Sequence, residues 1–158
     1  MPFAPEKELQ GRHVIQYVRT TEFVMGNLTD GHREDEAMPG KAEEKSFGKA
    51  DEVRVFPKGK LELITIGGAT IGRATLEPGW RWSTSVQPIA KTKSCEAPHF
   101  QYQVAGTMKV LMDDGTELEC KPGDVTLLPS GHDAWVVGKE NVVIVDFQGM
   151  KEYAKKAG

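Results

Sequence analysis

Residues 122–137 read PGDVTLLPSGHDAWVV. A Gly-Asp pair opens the stretch, a β-forming run follows, Pro129-Ser130-Gly131 makes a turn, and His132 leads into a second apolar run. Gly and Pro punctuate local structure, and β-branched and apolar residues between them mark short strands. The stretch therefore reads as a strand, a tight turn and a strand, with an imidazole just past the turn.

The same pattern extends outward in both directions. Upstream come EVRVF (52–56), LELITIG (61–67), ATIGRATL (69–76), WRWSTSV (80–86), HFQYQVA (99–105), TMKVLM (107–112) and TELEC (116–120). The run closes with DVTLLP (124–129), AWVVG (134–138) and NVVIVDF (141–147). MDDGTE (112–117) sets Asp-Gly between two such segments, a hairpin signal, and GKEN (138–141) is a further turn. Many short strands without intervening helices predict an all-β sandwich or barrel. MKEYAKKA (150–157) alone reads as a helix, its cations at the end the helix dipole favours. The expected organisation is an arm and polar connection over 1–48, a barrel over 49–149 and a short C-terminal helix or tail over 150–158. Within the first part, HVIQYVRTTEFVMGNL (13–28) reads as an extended arm and GHREDEAMPGKAEEKS (31–46) as a surface connection.

The charge is balanced, net −3 with both signs mixed, so there is no basic footprint for nucleic acid or an anionic membrane. The sequence shows no signal-peptide pattern and no long apolar run, which gives an expectation of a cytoplasmic protein. Two cysteines, Cys95 and Cys120, are too few for a disulfide scaffold and read as free thiols.

The spacing Gly123, five residues, Pro129-x-Gly131 resembles the second motif of the cupin superfamily. YQVAGTMKVLMDDG (102–115) resembles that family's strand, turn glycine and next strand, with Gly106 as the turn. EPGWRWSTSVQPIAKTKSCEAPHFQY (77–102) resembles one branch of bacterial cupin-domain proteins, which implies a fold and a cavity but no reaction. The resemblance implies a double-stranded β-helix, or jelly-roll, barrel. In metal-binding cupins three histidines and a glutamate hold a divalent transition metal. Here those slots fall on Lys93, Cys95, His99 and Ala134, so the resemblance favours no metal bound in the family's usual way. A shifted set drawn from Cys95, Glu96, His99 and His132 is the alternative. His132 also reads as a turn residue bonded to nearby backbone.

Strand parity describes the interior. If His99 points inward, so do Gln101 and Gln103, while Phe100, Tyr102 and Val104 point out. That is a polar ladder inside and an apolar one outside, and unpartnered buried polar groups cost about 1–3 kcal/mol each. A ligand, water or an internal network must satisfy them; the opposite register would place Phe100 and Tyr102 in the core. Trp80 and Trp82 share one parity and either wall a pocket or pack at an interface. Trp135 is expected to face away from the Ala134 slot. Arg73 either reaches an anionic ligand or is salt-paired. Cys95 and His99, four residues apart, would not lie side by side on an extended strand, which leaves an inert thiol as the expectation.

These readings favour a homodimeric barrel that binds a small polar metabolite through His99, Gln101, Gln103, His132, Trp80 and Trp82, in a sensing, carrier or accessory role. If there is catalysis, His99 is the residue expected to act as acid or base. The alternative is a metal-dependent dioxygenase, isomerase or decarboxylase using the shifted ligands; a bare interaction scaffold is a third.

Overall fold

The computed structural model describes residues 41–155; the 13–28 arm and most of the 31–46 connection lie outside them. The nine strands among the described residues are β1 (Glu52–Phe56), β2 (Gly59–Ile66), β3 (Ala69–Leu76), β4 (His99–Ala105), β5 (Thr107–Met112), β6 (Glu117–Cys120), β7 (Val125–Leu128), β8 (His132–Val137) and β9 (Val142–Asp146). They form two antiparallel sheets, one ordered β1-β2-β3-β9-β4-β7 and one ordered β6-β5-β8. The Asp-Gly turn does join β5 to β6, with Leu111 opposite Glu117. The chain changes sheet at Gly106, between β4 and β5, and again at Pro129-Ser130-Gly131, between β7 and β8. The result is an all-β jelly-roll barrel.

Alternation decides which side chains fill it. Leu61 and Leu63 from β2, Ala74 and Leu76 from β3, Met108 and Val110 from β5, and Val142 and Ile144 from β9 are buried. Each large aliphatic side chain removed from water contributes about 1.5–3 kcal/mol. On β4 the buried residues are His99, Gln101 and Gln103, while Phe100, Tyr102 and Val104 are exposed. The polar ladder is therefore the inner one. Its neighbours on the inner wall are His132 at the start of β8 and Asp146 at the end of β9.

Two segments differ from the sequence reading. WRWSTSV is not a strand. It enters helix α1 (Trp82–Ser85), followed by helix α2 (Gln87–Ala90). The cause lies far along the chain: Asp133 on β8 accepts hydrogen bonds from the Ser83 backbone N–H (3.1 Å) and hydroxyl (3.0 Å). It thus caps the first turn from outside. Arg81 joins the same carboxylate at 2.6 Å and lies over the Trp135 ring. Pro88 lies in the first turn of α2, and Lys91 in the left-handed region ends it. The second difference is the expected C-terminal helix. Residues 150–154 form turns, because the carbonyls of Met150, Lys151 and Tyr153 accept from the Arg54 guanidinium. Ala154, at φ +52°, also leaves the helical region.

Candidate functional site

The inner end of the barrel gathers Cys95, His99 and His132. One donor atom from each, a sulfur and two ring nitrogens, lies within 4.8 Å of the others, and all three residues are buried. The local chain path explains the meeting. Cys95 pairs with His132 as an isolated bridge, its N–H donating to the His132 carbonyl at 2.8 Å. The chain then bends at Ala97 before β4 begins at His99. The bend brings Cys95 Sγ to 3.6 Å from His99 Nε2. The expectation that these two side chains stay apart fails because residues 95–99 are not one extended strand.

Both imidazoles are oriented from behind. His99 Nδ1–H donates to Asp146 Oδ2 at 2.6 Å, and Asp146 is fully buried. His132 Nδ1–H donates to the Pro129 carbonyl at 2.9 Å. That is the turn-residue bond foreseen for His132, yet its ring is inside the barrel, 5.4 Å from the His99 ring. Each ring thus has Nδ1 engaged by an outer partner, and His99 Nε2 faces the thiol. Burial opposes ionisation of the Cys95 thiol, but hydrogen bonds with His132 and His99 outweigh it and bring the group down to about 7. Burial also works against a charged His99, but hydrogen bonds with Asp146 and Cys95 raise it to about 9. Tyr153 brings its ring to 5.6 Å from that of His99, and burial of its hydroxyl pushes the phenol well above its ordinary value.

The space beside the cluster is small. A hollow of about 30 Å³ is lined by Trp80, Trp82, Cys95, His99, Gln101 and His132, among others. It suits an ion or one or two waters. Outside it lies a cleft of about 660 Å³ between α1–α2, residues 95–98 and the 149–155 turn. Cys95, Trp82 and Tyr153 border both spaces.

No family model and no curated protein matches the chain. Solved structures do. A protein of unknown function from Rhizobium leguminosarum bv. viciae 3841 is 17% identical, covering 69% of this chain and 99% of its own, with a TM-score of 0.51. KdgF from Halomonas sp. is 18% identical over 63% of this chain and 87% of its own, with a TM-score of 0.46. A cupin-like protein from Thermotoga maritima is 14% identical over 61% and 73%, with a TM-score of 0.43. At this identity the likeness is one of fold, an all-β jelly-roll barrel.

Within this barrel the sequence-chosen residues divide. His99, His132, Gln101, Trp80 and Trp82 line the hollow. Gln103 is buried but engaged elsewhere: its amide donates to the Ala105 and Gly106 carbonyls, both at 3.1 Å, and clasps the turn where the chain changes sheet. Glu96 and Lys93 are exposed, so neither belongs to the cluster. Arg73 pairs with Glu62 at 2.8 Å and lies over Phe47. Ala134 is buried beside the hollow, and Trp135 packs on the outer face under Arg81.

Asp146 and Tyr153 were not chosen from sequence. For Asp146 the signal was present: in NVVIVDF it continues the buried ladder of Val142 and Ile144, and a carboxylate on a core-facing position needs a partner. Nothing in sequence pointed to Tyr153, which reaches the site from a turn.

Proposed function

We propose that this cupin barrel binds a divalent transition metal through Cys95, His99 and His132 and presents it to a small molecule held in the adjoining cleft. The observation that carries this reading is the orientation of the donors. Two imidazoles with Nδ1 tied to a carboxylate and a carbonyl turn Nε2 toward a buried thiol. Metal-ligating histidines are held by such outer partners. The sulfur and nitrogen donors fit Zn, Cu, Fe, Co or Ni and not Mg or Ca. Three protein donors leave a coordination position open. A second feature agrees: Trp80 Nε1 and Gln101 Nε2 are buried without partners on residues that line the same hollow. Both are donors, so an oxygen acceptor beside the cluster would satisfy them.

A metal held by Cys95, His99 and His132 would supply a Lewis-acid centre. The chain's own residues orient and exclude. Asp146 fixes the His99 tautomer, Tyr153 and Trp82 screen the cluster from the cleft, and Trp80 and Gln101 offer N–H groups to an oxygen.

The test is elemental analysis of full-length protein purified without an affinity tag, then repeated after incubation with Zn(II) or Co(II). About one metal per chain is expected, with a thiolate-to-cobalt charge-transfer band. Cys95→Ala and His132→Ala should each lose most of it. A folded chain that takes up neither ion overturns the reading.

The relay Cys95–His99–Asp146, at 3.6 and 2.6 Å, favours a second reading. There the barrel carries no metal, binds a small polar metabolite in a sensing, carrier or accessory role, and uses His99 as an acid–base group.

We also propose that the chain is a homodimer. The outer face of β4 and β7 pairs Phe100 with Leu127 and Tyr102 with Val125, all exposed, with Phe147 beside Phe100. β7 is also a sheet edge, and exposed apolar edges invite pairing. Sedimentation of the full chain should give a dimer and Leu127→Asp a monomer; a monomeric parent chain ends this idea.

A further inference from the structure

The 149–155 turn separates the cleft from the cluster, yet it has little to hold it. Its own backbone bonds are two long ones, Tyr153 N–H to the Met150 carbonyl and Lys155 N–H to the Glu152 carbonyl, both 3.3 Å. The side chain that secures it comes from the other end of the barrel domain. Arg54 on β1 is nine-tenths buried, with 9% of its side chain exposed. Its Nε donates to Glu52 Oε1 at 2.7 Å, and Nη2 donates to Glu52 Oε2 at 3.0 Å and to the Lys151 carbonyl at 2.8 Å. Its Nη1 donates to the Met150 carbonyl at 3.4 Å and to the Tyr153 carbonyl. A guanidinium has five N–H donors, and here five acceptors receive them.

The turn so held places two side chains over the site. Tyr153 sits between Phe56 and His99, with ring centroids 6.4 and 5.6 Å away. Met150 is buried against Gly72, where a Cβ would come within 2.7 Å of it. Tyr153 and Cys95 border both the hollow and the cleft. A molecule entering from the cleft therefore meets Tyr153 beside the thiol.

We propose that Arg54 is a positioning residue that latches the 150–154 turn, so that Tyr153 acts as a stopper between the cleft and the Cys95–His99–His132 cluster. Access to the cluster then requires Arg54 to release the three carbonyls. This is local opening of one weakly bonded segment while the barrel stays folded. It concerns the site proposed above but does not need a metal in it.

The test is alkylation by iodoacetamide of the full-length chain, both as purified and after chelator treatment, with each thiol followed by mass spectrometry. Cys120 is the internal control: it is buried on β6, and burial pushes its thiol up. Arg54→Ala should speed alkylation of Cys95 roughly ten-fold or more, since each charge-assisted bond lost is worth a factor of that order. Cys120 should be unchanged. Arg54→Lys should accelerate it nearly as much, because an ammonium keeps the charge but cannot fill the forked set of acceptors. Tyr153→Ala should give the same acceleration, with little added by Arg54→Ala. The latch is overturned if Cys95 is no faster in Arg54→Ala, if Cys120 accelerates in parallel, if Arg54→Lys restores the parent rate, or if Tyr153→Ala leaves it unchanged. Failure to find a metal would remove the metal reading and leave this result standing.

Discussion

Asp146→Ala is expected to lower the unfolding free energy by about 3–5 kcal/mol, the usual effect of removing one partner from a buried ion pair. Asp146 is fully buried, and both its oxygens are used. Oδ2 accepts from His99 Nδ1 and Oδ1 from the Gln148 N–H, each at 2.6 Å. Alanine strands the buried His99 donor and leaves the part-buried Gln148 N–H without its acceptor. Asn keeps the volume and one acceptor, so Asp146→Asn should cost less, about 1–3 kcal/mol. Urea unfolding of the two variants reads the difference. The same substitutions reach the cluster through His99. Loss of an outer-shell carboxylate should weaken metal binding about 10–100-fold, measured by competition with a coloured chelator. A loss below about 1 kcal/mol in Asp146→Ala would mean that His99 finds another acceptor and that the carboxylate does not orient it.

The residues differ in how openly the sequence declared them, and the reasons are physical. A strand has a period of two, so HFQYQVA states by itself that His99, Gln101 and Gln103 share a face. The sequence cannot say which face is inside, but Phe100, Tyr102 and Val104 on the outer side fit an apolar surface that a second copy would cover. The turns at Gly106 and Pro129-Ser130-Gly131 were legible because glycine admits a positive φ and proline fixes its own φ, so both mark turns locally. The failures come from contacts across the fold. WRWSTSV has β-forming composition, and it turns helical because Asp133, fifty residues on, supplies its N-terminal acceptor. Cys95 and His99 meet because a bridge to His132 and a bend at Ala97 fold the chain back between them. The C-terminal residues carry helical propensity, but their carbonyls are bound to Arg54. The candidate site is assembled from these same contacts. The fold could therefore be read from short-range pattern, while the cluster could be read only as its separate members.

Gly106→Ala should be strongly disruptive for a single added methyl, since it acts where the chain passes from one sheet to the other. Gly106 has φ +69° and is buried, and a Cβ there would lie 2.4 Å from the Asn141 carbonyl oxygen and 2.9 Å from Val142 Cα. Those atoms are backbone at the entry to β9, so no rotamer change relieves the contact. Two penalties add. An L-residue held in the left-handed region costs about 1–2 kcal/mol, and forced displacement in a packed interior costs about 1–3 kcal/mol more. The displaced strand carries Val142, Ile144 and Asp146 inward, so the strain reaches the cluster by way of its carboxylate. The amide of Gln103, which clasps the Gly106 carbonyl at 3.1 Å, would lose its geometry in the same movement. The expected result is a chain several kcal/mol less stable, or insoluble, whose residual folded fraction binds metal weakly. Gly115→Ala is the matched control: it has φ +88° but nothing within 4 Å of its Cβ position, so it should carry only the backbone term. Equal stability losses in the two variants, measured by thermal unfolding, would show that the close approach to β9 is not what fixes the sheet crossing.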